Sequence, residues 1–102
     1  MTENIDTVLV GEHPGENWFT GEYEQIPAHM REAIVNYVAH RKMTGDFLRA
    51  VVCNNLVNAV GYADDTNRGL IPLYVRWFFN YAPSGCWGSP EKLAAWVVEA
   101  QK

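Results

Sequence analysis

The sequence predicts a mainly α-helical, compact four-helix domain that is preceded by a short N-terminal β-hairpin or an extended acidic arm. Apolar residues recur at helical spacing from Pro27 onward, and the acidic residues are concentrated before residue 25. The 102 residues are 48% hydrophobic and 20% charged, which is the composition of a single globular domain. We therefore divide the chain into an arm or hairpin, residues 1–25, and a helical domain, residues 26–102.

The charge of the chain is unevenly distributed. Residues 1–24 carry six acidic and no basic side chains, and residues 25–102 carry eight basic and six acidic ones, so the net charge of −4 divides into −6 and +2. A solvated arm and an acidic surface for a basic partner both fit this segment. The dispersed basic residues argue against direct nucleic-acid binding, and the absence of a long apolar run predicts a cytoplasmic protein with no membrane contact.

Two short β-prone runs, Thr7–Val10 and Asn17–Thr20, flank a turn-rich connection and predict the hairpin. The first helix follows, with Pro27 at its first helical position. Its pattern stops at Thr44 and Gly45. Thr44 is the expected N-cap of the second helix.

The second helix is predicted to run from Gly45 to Val60. Because it is hydrophobic nearly all round, it is expected to be the central helix of the domain. Asn55 and Asn58 fall on its apolar side, where an unpaired amide would cost about 1–3 kcal/mol. We therefore expect both amides to be buried and hydrogen-bonded, either to fix the register between helices or to line a polar ligand pocket.

The remaining helices are predicted from their caps. Asp64 or Asp65 can cap a third helix, and Pro72 within that pattern predicts a kink or a fresh start. Ser89 is the expected N-cap of the last helix, with Pro90 at its first position.

A loop of unusual composition, Asn80–Lys92, separates the last two helices and carries Cys86 and Trp87. Trp87 is expected to pack on these helices, because a large ring in a turn needs either the body of the domain or a partner to cover it. Cys53 and Cys86 are expected to be free thiols. No spacing of His, Cys or carboxylate residues predicts a metal site.

A set of short motifs occurs together in this chain: Gly45–Leu48, Ala50-Val51, Asn55-Leu56, Ala63–Asp65, Asn67-Arg68 and the run Asn80–Lys92. Over Ile26 to Trp96 this pattern resembles a group of small phage- and prophage-encoded proteins. The resemblance implies a mobile-element origin and a bacterial host cytoplasm, and it carries over no catalytic residue.

The predicted function is that of a small phage accessory protein, without enzymatic activity or cofactor, that binds a host or defence-system protein to inhibit or modulate it. A nucleotide-like small-molecule binding protein and an enzyme that depends on Cys86 are the alternatives. A homo-oligomer is also left open. The candidate binding residues are Asn55, Asn58, Asp64, Asp65, Asn67, Arg68, Cys86 and Trp87.

Overall fold

The computed structural model describes residues 18–99, and this part of the chain is mainly helical, as predicted. It contains no β-strand and is built from short helices joined by tight turns. The predicted number of four helices is wrong, because the second and third predicted helices are each divided in two. The six α-helices of the described residues are α1 (Ala28–His40), α2 (Asp46–Val52), α3 (Leu56–Tyr62), α4 (Asp65–Arg68), α5 (Ile71–Tyr81) and α6 (Pro90–Glu99). Two 3-10 helices, Gly21–Gln25 and Ser84–Cys86, precede α1 and α6.

The N-terminal segment supplies part of the core. The predicted strand Thr7–Val10 lies outside the described residues, and Trp18–Thr20 of the second predicted strand form a turn rather than a strand. Trp18 and Phe19 stack on Trp77 of α5, with ring centroids 5.7 and 5.2 Å away. The indole N–H of Trp77 also donates a 3.0 Å hydrogen bond to the Trp18 carbonyl. These two aromatic residues, assigned to the arm by the sequence, are therefore buried in the helical body.

The predicted central helix Gly45–Val60 is wrong, because the chain breaks it into α2 and α3. Asn54 has a left-handed conformation (φ 62°), and the N–H of Asn55 donates to the Ala50 carbonyl at 2.9 Å, which ends α2 as a Schellman motif. The side chain of Asn55 then accepts a 3.1 Å hydrogen bond from the N–H of Asn58 and caps α3. Asn55 and Asn58 are therefore exposed rather than buried, because the break places them in the first turn of a new helix at the surface.

Two predicted helix starts also need correction. Pro27 is the residue before α1 rather than its first helical residue. Thr44 does not cap α2, because its hydroxyl donates to the Gly45 carbonyl at 3.0 Å, and Gly45 takes the capping position without a side-chain bond.

The other predicted helix starts are confirmed. Asp64 caps α4, and the Ser89 hydroxyl accepts a 3.2 Å hydrogen bond from the N–H of Lys92 at the start of α6. A fresh helix, α5, begins at Ile71 with Pro72 in its first turn. At that position the missing proline N–H costs no intrahelical hydrogen bond.

The core is centred on α5, whose Tyr74, Trp77 and Phe78 are fully buried. The hydroxyl of Tyr37 on α1 donates to the Cys86 carbonyl at 2.6 Å, and the Gly88 N–H donates to the Val52 carbonyl at 2.7 Å. These bonds join the loop before α6 to α1 and α2. None of the helices within residues 18–99 combines the length and apolar character that crossing a membrane requires.

Candidate functional site

Four candidate binding residues lie on or next to α4, and each of them has a partner within the domain. The Asp64 carboxylate accepts a 2.7 Å hydrogen bond from the N–H of Asn67. The Asn67 side chain is buried and accepts a 2.6 Å hydrogen bond from the Tyr74 hydroxyl. Asp65 and Arg68 form an exposed 3.1 Å ion pair, a kind of contact that adds little stability. The Asn67 side chain therefore joins α4 to α5, whereas the contacts of Asp64, Asp65 and Arg68 lie within α4 and its cap.

The thiol of Cys86 is poorly suited to nucleophilic chemistry. Burial raises the pKa of Cys86 to about 12, although the nearby charges of Arg41 and Lys92 act to lower it. The thiolate is the reactive form of cysteine, and at neutral pH this thiol is held protonated. The adjacent Trp87 is half-buried, and its ring centroid lies 6.1 Å from that of Phe78 on α5.

Asn55 and Asn58 line a polar groove of about 160 Å³ on the outer side of α2 and α3, next to the start of α6. Asp46 and Arg49 form an exposed 3.4 Å ion pair on its wall, and partial burial raises the pKa of Cys53. We define this polar groove by its lining residues, which are Asp46, Arg49, Ala50, Cys53, Asn55, Asn58, Tyr62 and Pro90. The other six candidate residues do not line it, so the eight do not converge on one site.

The opposite side of α3 is apolar and open to solvent. Leu56, Val57 and Val60 are exposed, and the helix buries only Ala59. No charged residue occurs between Leu56 and Tyr62. A seven-residue helix that exposes most of its large apolar side chains is unusual in a domain with a well-filled core.

Helix α5 extends this exposed area with Val75 and Phe79, which lie one helical turn apart on the same side. A shallow apolar groove of about 50 Å³ joins α3 to α5, and its lining residues include Leu56, Ala59, Ile71 and Val75. We call the five exposed side chains the apolar surface, and each leaves between 42% and 81% of its area accessible: Leu56, Val57, Val60, Val75 and Phe79.

The sequence did not predict this surface because it placed Leu56 and Val60 in one continuous central helix. In a helix surrounded by others, an all-round apolar pattern indicates burial. The doublet Asn54-Asn55 was the available signal for a break, since Asn readily adopts the left-handed conformation and also caps helices. Once α3 starts anew at Leu56, its short length and new direction leave these side chains exposed.

No model of a known protein family, no curated protein and no solved structure matches this chain.

Proposed function

We propose that this chain is a binding protein that contacts another protein through the apolar surface. The observation that carries the proposal is the exposure of Leu56, Val57 and Phe79, which leave from 67% to 81% of their area accessible. Burial of a large apolar side chain in a complex contributes about 1.5–3 kcal/mol, whereas the same side chain in water contributes nothing. Contiguous exposed apolar patches are typical of interaction sites.

The shape of the grooves supports a macromolecular partner over a small molecule. Pockets for drug-sized ligands enclose roughly 300–1,000 Å³, whereas the apolar groove has about 50 Å³ and the polar groove about 160 Å³. Both are shallow and lie at the surface. An open apolar surface of this kind suits the side chains of a protein partner better than a nucleotide-like ligand.

The partner that we propose is a host or defence-system protein of a bacterial cytoplasm, which the chain would inhibit or modulate by covering part of its surface. The class of partner follows from the resemblance to small phage-encoded proteins, and the contact area follows from the geometry of α3 and α5. Within the described residues, Glu22 of the acidic segment is paired with Arg76 of α5 at 3.0 Å. This pair keeps one acidic side chain on the body of the domain, at the residue of α5 that follows Val75.

The proposal is tested by affinity capture from bacterial lysate, followed by titration of the captured protein against purified variants. Val57→Lys and Phe79→Lys each place a charge in the proposed contact, where an unpaired buried charge is costly. We expect each to weaken binding by about tenfold or more. The matched control is Val98→Lys on α6, because Val98 is also apolar and exposed (49%) but lies outside the apolar surface.

Equal binding by the wild type and both surface variants would overturn the proposal. Loss of binding in the control as well would do the same, because the contact would then not be confined to α3 and α5. Each variant is first compared with the wild type by circular dichroism and thermal unfolding, so that only folded proteins are titrated.

A further inference from the structure

We infer that a second copy of this chain covers the apolar surface in the free protein, so that two chains pair across a twofold axis through α3 and α5. The inference concerns the same surface as the proposed function and adds a form of regulation to it. A partner protein would have to displace the second copy before it could bind.

The first argument is the neutrality of the surface. In a twofold interface the same patch lies on both sides, so every residue near the axis faces its own kind. A charged patch would place like charges against each other. Helix α3 has no charged residue from Leu56 to Tyr62, and the five side chains of the apolar surface are all uncharged, so self-pairing brings no such repulsion.

The second argument is the state of the neighbouring charges. Arg76 follows Val75 on the exposed side of α5, and it is paired with Glu22 at 3.0 Å. Asp65 and Arg68, just beyond α3, are paired with each other at 3.1 Å. Each pair carries no net charge, and the Asp64 carboxylate that caps α4 is the remaining charge between Tyr62 and Ile71 in the sequence. Among the described residues, the edge therefore holds no cluster of like charges that would keep an identical copy away.

The third argument is the amount of surface that can be buried. Stable interfaces bury about 800 Å² on each partner, and the exposed parts of the five side chains supply only part of that area. Such a contact is expected to be weak and reversible. The contact between the two copies has to be reversible, because a partner protein that uses the same surface must be able to displace the second copy.

The experiment is sedimentation analysis of the purified full chain, without any partner, at protein concentrations from about 1 to 500 µM, where small interfaces associate. We expect the apparent mass to rise toward twice the monomer's 11.6 kDa as the concentration increases. Val57→Lys and Phe79→Lys should remain at the monomer mass throughout, and Val98→Lys should associate like the wild type. An unfolding curve is recorded for each of the three variants first, so that only folded proteins are compared.

A wild-type protein that stays monomeric at every concentration would overturn the inference. Retention of the dimer by both surface variants would also overturn it, because the contact would then lie elsewhere, and so would a monomeric Val98→Lys protein. Capture of a partner is measured separately from self-association. A monomeric wild type that still loses its partner on Val57→Lys substitution would reject the dimer and leave the proposed function standing.

Discussion

The hydroxyl of Tyr74 donates a 2.6 Å hydrogen bond to the side-chain oxygen of Asn67, and both groups are buried. Asn67 belongs to the four-residue helix α4, and Tyr74 belongs to α5. So short a helix cannot hold itself in place, because helix formation gains stability only over several turns. The bond therefore fixes α4 on the core. Asn67, which was predicted from the sequence to be a binding residue, has a structural role.

We expect Tyr74→Phe to lower the free energy of unfolding by about 1–3 kcal/mol, because it leaves the buried oxygen of Asn67 without its donor. Chemical denaturation measures the change. The matched control is Tyr62→Phe, which removes an exposed hydroxyl and should change stability by less than about 0.5 kcal/mol. Equal effects of the two substitutions would contradict the structural role of the bond.

Trp18→Ala is expected to cost about 3–5 kcal/mol of stability, because the ring is buried and stacks on Trp77. Phe79→Ala removes an equally apolar ring from the surface and should cost less than about 0.5 kcal/mol. Thermal or urea unfolding of both variants gives the comparison. A small loss for Trp18→Ala would place that ring outside the core.

The break between α2 and α3 depends on the backbone of Asn54. Its φ of 62° is strained for most side chains but not for glycine. We expect Asn54→Ala to destabilise the protein by about 1 kcal/mol and Asn54→Gly to leave stability nearly unchanged. Denaturation of the two variants side by side tests this. If alanine is tolerated as well as glycine, the left-handed turn is not what ends α2.

The two thiols should differ in reactivity. Cys53 is partly exposed, whereas Cys86 is fully buried and the pKa of its thiol is raised to about 12. At pH 8 a thiol reagent should modify one equivalent in the folded protein and a second only after unfolding. The Cys53→Ser variant should lose the fast phase. Rapid modification of Cys86 in that variant would reopen the possibility of chemistry at the loop.

Stability should fall at alkaline pH. Burial raises the pKa of Cys86 to about 12 and holds the pKa values of Tyr37 and Tyr74 above the ordinary tyrosine value. The unfolded chain loses these protons first, so the free energy of unfolding is unaffected below the ordinary thiol pKa and decreases as pH rises above it. The limiting slope is about 1.4 kcal/mol per pH unit for each group.

Urea denaturation between pH 7 and pH 10 measures this dependence. Between about pH 9 and 10 the free energy of unfolding should decrease less steeply in Cys86→Ala than in the wild type. In the unfolded chain the thiol loses its proton at a lower pH than the tyrosines do. Cys53→Ala is the control and should have a smaller effect because Cys53 is partly exposed. A decrease that is the same in the wild type and Cys86→Ala would show that this thiol is not the group responsible.

Much of the local structure could be predicted from the sequence. Ser89, Asp64 and Pro72 mark helix starts through bonds and restrictions that act within a few residues. The helical class itself follows from the spacing of apolar residues after Pro27. Among the eight candidate binding residues, Asn55 and Asn58 were predicted from their polar side chains on an apolar helix. The structure places both of them in the lining of the polar groove.

The sequence by itself therefore determined the helical class, the capped starts of α4 and α6 and the proline-marked start of α5, because these depend on neighbours along the chain. Only the tertiary structure decided which apolar residues are covered. Trp18 became part of the core because α5 places Trp77 against it, whereas Leu56 and Val57 stayed exposed because α3 turns away after Asn54. Burial depends on residues distant in sequence, so a periodic pattern specifies an apolar face but not what lies against it.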